Sequence, residues 1–149
     1  MRLVVQRVAR ARVEVAGERV AAVGRGLLVL VGAERGDGPA EVERAAGKLV
    51  HLRVFADAAG KMNLDVGQAR GAVLLVSQFT LAAATDRGRR PSFERAAPPD
   101  LAETLVEQLG ARLRAAGLAV EQGRFGAHMS VELVNDGPVT LVLDFPPGG

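Results

Sequence analysis

Alternation of apolar and polar residues predicts a β-hairpin at the start of the chain. Residues 2–8 alternate imperfectly, and residues 12–15 alternate cleanly before a turn at Gly17 and Glu18. The chain then returns over residues 19–23. Because successive side chains of a strand point to opposite faces, the polar positions are expected to face solvent.

Two uniformly apolar runs predict strands that are buried on both faces. Residues 26–32 and residues 72–76 contain only glycine, alanine, valine and leucine. Such a run is typical of a central strand that is covered on both sides. The second run stops abruptly at Ser77-Gln78-Phe79-Thr80. Polar side chains at the end of a buried strand are where α/β folds commonly place their binding and catalytic groups.

Helical spacing of apolar residues predicts two amphipathic helices. The first is expected to begin with Asp37 as its N-cap and to end at His51. A histidine interacts favourably with the C-terminal end of the helix dipole, so His51 needs no catalytic role. The second is expected to begin at Asp100, with a capping box, and to end at Gly117. Its predicted buried stripe consists of Leu101, Leu105, Leu109 and Leu113.

The last part of the chain predicts two strands joined by a tight turn. Residues 128–134 alternate, residues 135–137 have the composition of a turn, and residues 139–145 form the last strand. With eight or nine strands and two helices, residues 1–149 are predicted to form a single α/β domain. Its mixed sheet is expected to curl into a barrel-like, layered β/β/α arrangement with both helices on one side.

The composition excludes several kinds of site. The chain has 149 residues, two histidines and no cysteine, so disulfides, thiol nucleophiles and zinc–thiolate centres are absent. Metalloprotease, P-loop and dinucleotide-binding motifs are missing as well, and no metal or cofactor is expected. What remains is hydroxyl, amide and backbone chemistry, which suits an enzyme that positions an already reactive substrate.

The N-terminal segment and the hydropathy profile predict a cytoplasmic protein without a membrane partner. Residues 1–7 are too short and too charged to be a signal peptide, and no apolar stretch reaches the length of a membrane span.

A basic loop at residues 85–95 is the one charged feature that suggests a ligand. The net charge of +2 does not by itself indicate a nucleic-acid partner, and with five phenylalanines and no Trp or Tyr a base-stacking platform is not expected. Within the loop, however, Arg87, Arg89 and Arg90 have the side-chain geometry that matches phosphate groups. The loop is either a solvated surface segment or a phosphate contact.

Two motifs resemble the signatures of the D-aminoacyl-tRNA deacylase family. Residues 77–81 read SQFTL, and residues 135–140 read NDGPVT. Supporting matches occur at residues 1–8, 60–63, 90–93 and 123–129, so the resemblance covers essentially the full length.

The resemblance implies a homodimer that hydrolyses the ester bond of D-aminoacyl-tRNA and rejects L-aminoacyl groups. The Gly137-Pro138 motif of each subunit is expected to enter the active site of the other, through a cis bond. Main-chain carbonyls there would hold the substrate's α-ammonium and leave no room for an L side chain. Glycyl-tRNA is expected to pass this filter.

The resemblance also assigns roles around the scissile ester. Ser77, Gln78, Phe79 and Thr80 are the expected catalytic segment, with backbone N–H groups near Phe79 and Thr80 as an oxyanion hole. Water attack assisted by the RNA's own 2′-OH is favoured over Thr80 as nucleophile, because no base is evident in the sequence. Ser77 is as well explained by a structural role. Met129 is expected to line an adenosine pocket, although packing alone explains a methionine on a strand.

Two alternatives stay open on the sequence. One is a catalytically silent, dimeric nucleic-acid-binding protein on the same fold, and the other is a small-molecule esterase.

The resemblance further implies that Arg87, Arg89 and Arg90 contact tRNA.

Overall fold

A computed structural model describes residues 1–149, which form a main mixed sheet, a small second sheet and two α-helices. The strands and helices have the following bounds: β1 Arg2–Val15, β2 Glu18–Val23, β3 Gly26–Gly32, α1 Pro39–His51, β4 Phe55–Ala56, β5 Met62–Leu64, β6 Ala72–Ser77, α2 Pro99–Ala115, β7 Ala119–Gln122 and β8 Ser130–Asp144. A 3₁₀ helix, Phe79–Ala82, directly follows β6.

The main sheet has the order β2-β1-β3-β6-β7, and β8 also pairs with β1. The β3–β6 and β6–β7 pairs are parallel, whereas β1 pairs antiparallel with β2, β3 and β8. Strands β4 and β5 form a separate two-stranded sheet. The predicted fold class, a mixed sheet curled like a barrel with two helices, is therefore confirmed.

The two central strands separate two hydrophobic cores, as their uniform apolar composition predicts. Leu27 and Val29 of β3 belong to a core of 25 buried residues that includes the inner faces of both helices. Leu28 of β3 and Leu74 of β6 point the other way, into a second core of 8 residues bounded by the curled ends of β1, β2 and β8. The helices therefore cover one face of the sheet, and the curl of the sheet covers the other.

The predicted final hairpin is wrong, because β8 is one continuous strand. Both of its halves pair antiparallel with β1: Gln6 lies opposite Thr140, and Val8 lies opposite Asn135. Residues 136–139 therefore form a loop that bulges out of β8 opposite the single residue Arg7. A bulge absorbs extra residues without reversing the chain, so turn-forming residues are compatible with a strand that keeps its direction.

The predicted N-caps of both helices are also wrong. The cap of α1 is Gly38, whose backbone N–H donates to Glu41 Oε2 at 2.8 Å. Asp37 is instead buried and accepts from the α-ammonium of Met1 at 2.8 Å. A long-range ion pair has replaced a local cap, because a buried α-ammonium needs a carboxylate partner. At α2 the cap is Pro98, and Asp100 lies inside the first turn without capping it.

The rest of the helix predictions hold, with one exception. His51 ends α1, and Gly117 follows α2 with a φ of +91°, which favours glycine. In the stripe of α2, Leu105, Leu109 and Leu113 are buried, but Leu101 in the first turn is 37% exposed. No helix has both the length and the apolar composition that a bilayer crossing requires.

Candidate active site

The SQFTL segment is held in place by the parallel ladder that it extends. The backbone N–H of Gln78 donates to the carbonyl of Val31 at 2.8 Å, one residue beyond the end of β6. The chain then turns into the 3₁₀ helix. Gly32 permits this turn, because a Cβ there would lie 2.7 Å from Leu81 Cβ and 3.0 Å from the carbonyl oxygen of Gln78. A buried strand and one glycine thus position the predicted catalytic segment.

A cavity of about 600 Å³ opens beside this segment and is lined by Ser77, Gln78 and Phe79. Met129, which the resemblance implied to line an adenosine pocket, lines this cavity as well. Gly123 allows Met129 to lie there, since a Cβ at Gly123 would come within 2.8 Å of the Met129 sulfur. Most of the lining is apolar, so the cavity suits a ligand with a large apolar surface and few polar groups.

Three of the five phenylalanines line the same cavity: Phe79, Phe93 and Phe125. The rings of Phe79 and Phe93 meet edge to face, with centroids 5.1 Å apart, and are 55% and 38% exposed. Exposed aromatic faces in a cavity are surfaces on which a nucleobase can stack. Folding thus gathers at the cavity three phenylalanines that are far apart in the chain, a grouping that the count of aromatic residues in the sequence does not indicate.

Thr80 differs in position from Ser77, Gln78 and Phe79, which line the cavity. It is exposed and does not line the cavity, and its Oγ1 accepts a hydrogen bond from Nε2 of Gln78. Gln78 therefore links Thr80 to the cavity wall. His128, to which sequence analysis assigned no role, lines the cavity as well. It lies in the segment between β7 and β8, and its contact with the cavity depends on the tertiary structure.

The NDGPVT loop is tied to β1 by two polar side chains. The Asn135 side-chain amide donates to the carbonyls of Arg7 and Val139, at 2.9 and 3.0 Å. Arg7 donates in turn from Nε to the carbonyl of Asp136 at 2.9 Å, and from Nη1 to the carbonyl of Val54 at 2.6 Å. Arg7 is thus a functional candidate that sequence analysis did not single out.

The centre of the loop is exposed and needs a glycine. Gly137 has a φ of +137°, and a Cβ there would lie 2.9 Å from Nη2 of Arg7. The Gly137–Pro138 bond is cis. Neither Gly137 nor Pro138 lines the cavity beside the SQFTL segment. One chain by itself therefore does not bring the two motifs together at this cavity.

The basic loop also lies apart from the cavity. Arg87, Arg89 and Arg90 are exposed, and none of them lines the cavity. The arginine that does line it is Arg35, in the connection between β3 and α1. No Asp or Glu is among the lining residues, so the charge that the protein supplies to the cavity is positive.

Comparison with known proteins gives the same assignment as the two motifs. Residues 4–144 match the family model described as D-Tyr-tRNA(Tyr) deacylase. The chain belongs to this family. The D-aminoacyl-tRNA deacylase of Anaeromyxobacter dehalogenans is 58% identical over 144 residues, which cover 97% of this chain and 97% of the relative. That of Heliobacterium modesticaldum is 56% identical over 144 residues, which cover 97% and 96%.

Two solved structures have the same fold as this chain. A protein described as "c-Myc DNA Unwinding Element Binding Protein" superposes with a TM-score of 0.92 at 41% identity, covering 98% of this chain and 99% of that one. A "probable eukaryotic D-amino acid tRNA deacylase" shares the fold, with a TM-score of 0.82 at 19% identity, covering 97% and 98%. The predicted family and the predicted enzyme class, a deacylase that hydrolyses an ester, are thus confirmed.

Proposed function

We propose that this protein hydrolyses the ester bond of D-aminoacyl-tRNA in the cytoplasm, releasing tRNA and the free D-amino acid, and that it also accepts glycyl-tRNA. The cavity beside Ser77, Gln78 and Phe79 carries the proposal, because the family's motif forms its wall. Its volume of about 600 Å³ is within the range of small-ligand sites. The aminoacylated terminal adenosine of a tRNA is a ligand of that size class, with an aromatic base for the phenylalanines.

The reaction proposed at this cavity is attack of water on the ester carbonyl. The carbonyl carbon gains the water oxygen, its bond to the ribose oxygen breaks, and that oxygen takes up a proton. Phe79 and Thr80 open the 3₁₀ helix, and the first N–H groups of a helix have no acceptor within it. Such donors would stabilise the negative charge that develops on the carbonyl oxygen.

The substrate's own 2′-OH is proposed to assist the water. Thr80 Oγ1 is engaged by the Gln78 amide, which is not a base, so nothing observed activates this hydroxyl as a nucleophile. RNA, unlike DNA, supplies a hydroxyl next to the ester. The catalytic contribution of the protein is then positioning and charge stabilisation.

The second motif is proposed to act across a homodimer. Gly137 and Pro138 are exposed and absent from the cavity of their own chain. The outer edge of β8 has no strand partner, and Val142 on this strand is 62% exposed. A long unpaired edge with exposed apolar residues is a surface for association. A second copy would carry its Gly137 loop to the SQFTL cavity.

The chiral filter is proposed to consist of main-chain carbonyls around Gly137. They would accept hydrogen bonds from the substrate's α-ammonium and leave no space on the side where an L side chain points. Glycine has no side chain and would pass. Arg87, Arg89 and Arg90 are proposed to contact tRNA phosphates beyond the terminal nucleotide, where exposed guanidinium groups are free to reach them.

Deacylation of matched D- and L-tyrosyl-tRNA by the purified protein tests the activity. We expect release of D-tyrosine and not of L-tyrosine, with glycyl-tRNA also cleaved. Equal release of both tyrosine enantiomers would contradict the filter. Binding of tRNA without any release would favour the silent nucleic-acid binder, and hydrolysis of aryl esters with no action on aminoacyl-tRNA would favour the small-molecule esterase.

Mixed dimers test whether the two motifs act across the interface. We expect Gln78→Ala and Gly137→Ala homodimers to be nearly inactive, since each alters both sites. A dimer with one subunit of each kind would contain one site with an intact Gln78 and an intact Gly137 loop, so mixing should restore activity. If mixing restores nothing while mass spectrometry detects the mixed dimer, the motifs do not act in trans.

A further inference from the structure

We propose that Arg35 binds the phosphate that joins the terminal adenosine of the substrate to the rest of the RNA. This inference rests on the proposed function and deepens it, by assigning a subsite for the 5′-phosphate of the nucleotide that carries the ester.

Arg35 is held against the segment that forms one wall of the cavity. Its backbone N–H donates to the carbonyl of Arg95 at 2.8 Å, and the N–H of Ala97 donates to the carbonyl of Ala33 at 3.0 Å. Glu34 also forms an isolated bridge with Ala96. Backbone hydrogen bonds therefore join the segment that follows β3 to residues 95–97. This pairing places the base of the Arg35 side chain beside the cavity.

The side chain of Arg35 is oriented by one hydrogen bond and is otherwise available. Its Nε donates to the carbonyl of Glu94 at 2.7 Å. The two Nη groups make no hydrogen bond to the protein, and no carboxylate lies within 4.0 Å of the guanidinium. The hydrogen bond from Nε fixes the orientation of the guanidinium, and both Nη groups remain without an acceptor. They can therefore donate hydrogen bonds to a tetrahedral oxyanion.

The charge of the cavity favours an anion at this point. Arg35 is the one permanently charged residue in the lining, and no carboxylate there offsets it. A second surface cavity, of about 250 Å³, is also lined by arginines, namely Arg10, Arg12 and Arg19, of which Arg12 is paired with Glu132 at 2.7 Å. What distinguishes Arg35 is its place beside the SQFTL segment, and not a larger positive charge.

The chemistry of the substrate identifies which anion it is. The aminoacyl group carries an ammonium, which a guanidinium repels, and the base and ribose are neutral. The first negative group on the RNA side of the ester is the phosphate on the 5′-oxygen of the terminal adenosine. Phe93 belongs to the segment of residues 93–97, to which Arg35 is hydrogen-bonded, so one wall would serve the base and its phosphate together.

The position of Arg35 separates its role from that of the basic loop. Arg87, Arg89 and Arg90 lie outside the cavity and would meet phosphates further along the RNA. Removal of a loop arginine should therefore weaken binding of whole tRNA only. Removal of Arg35 should also affect the smallest substrate that contains the 5′-phosphate.

Two minimal substrates test the proposal: 3′-O-D-tyrosyl-adenosine and the same ester with a 5′-monophosphate. We expect the unmodified protein to prefer the phosphorylated ester by about tenfold in kcat/KM, mainly through KM, since a charge-assisted hydrogen bond contributes about that much. Arg35→Gln should lower kcat/KM for the phosphorylated ester to that for the unphosphorylated ester and so abolish the preference. Arg35→Lys should retain part of it, because lysine keeps the charge and loses the fork.

Arg87→Gln is the matched control and should keep the full preference for the 5′-phosphate. A purely structural role of Arg35 would slow both esters equally, and that result would overturn the proposal. A preference that persists in Arg35→Gln, or that is absent from the unmodified protein, would overturn it too. If the unmodified protein fails to release D-tyrosine from D-tyrosyl-tRNA, the proposed function itself fails, which is distinguishable from these outcomes.

Discussion

The SQFTL segment and the NDGPVT loop are held in opposite ways. The first continues a buried parallel strand, and its Gln78 N–H completes the ladder with Val31. The second bulges from β8, and its Gly137 and Pro138 are exposed. Arg7 and Asn135 make hydrogen bonds at its base. The segment is thus positioned by the core of its own chain. The loop is hydrogen-bonded to β1 at its base and exposed at its tip.

Gly32→Ala should produce the largest effect, because it disturbs the better-anchored of the two regions. Its Cβ would lie 2.7 Å from Leu81 Cβ and 3.0 Å from the carbonyl oxygen of Gln78, so the segment must move. A displacement of about 1 Å costs on the order of 100-fold in rate. We expect a loss of that size in kcat/KM with D-tyrosyl-tRNA. Gly24→Ala is the control, since a Cβ there meets nothing within 4 Å.

Arg7→Ala should damage the loop and leave the cavity intact. It removes the bonds to the carbonyls of Asp136 and Val54, and each such charged hydrogen bond contributes about 1.5–3 kcal/mol. We expect at least a tenfold loss of discrimination between D- and L-tyrosyl-tRNA, with adenosine monophosphate still bound as before. Equal loss of nucleotide binding would show that the two regions are not independent. Arg12→Ala is the control on the same strand, where the partner is the exposed Glu132.

Thr80→Val should have a small effect on kcat. It tests whether Thr80 of the SQFTL segment is the nucleophile. Thr80 is exposed, and its hydroxyl accepts from Gln78, so its loss should change kcat by about threefold or less, the worth of an exposed hydrogen bond. A substrate with a terminal 2′-deoxyadenosine should instead be cleaved far more slowly. If the Thr80→Val protein is inactive and the unmodified protein cleaves the deoxy substrate at the full rate, Thr80 would be the nucleophile.

Glu41→Gln should affect neither region at neutral pH and should change only acid stability. Hydrogen bonds from the backbone N–H groups of Gly148 and Gly38 lower the pKa of Glu41 to about 2. Because the folded-state pKa lies below the ordinary glutamate value of 4.5, this carboxylate stabilises the fold above that pH, and the contribution is lost as pH falls from about 4.5 to 2. Urea unfolding should therefore show the variant less stable at pH 7, with the gap closing toward pH 2. Deacylation at pH 7 should be unchanged.

Much of the fold follows from local patterns in the sequence. Uniform apolar runs predicted β3 and β6, and helical spacing predicted both helices, because burial on a repeating face leaves a periodic trace. The end of β6 at Ser77 was visible for the same reason. Family membership followed from the SQFTL and NDGPVT motifs.

The errors concern residues with two possible partners. Asp37 was expected to cap a helix, but the α-ammonium of Met1, 36 positions away, competes for its carboxylate. Residues 135–137 were expected to reverse the chain, but both flanks of the loop pair with β1, so the strand continues. Local propensity is worth about 1 kcal/mol, and such long-range partners outweigh it.

The sequence by itself determined the family, the central strands and the identity of the two motifs, since these depend on composition and short-range order. Only the tertiary structure decided that three distant phenylalanines share a cavity, that Arg35 and not the basic loop supplies its charge, and that Gly137 stands away from the cavity of its own chain. Each of these three features depends on contacts between residues that are distant in the chain. No periodicity encodes them, because they depend on strand register and on segments joined through distant backbone hydrogen bonds.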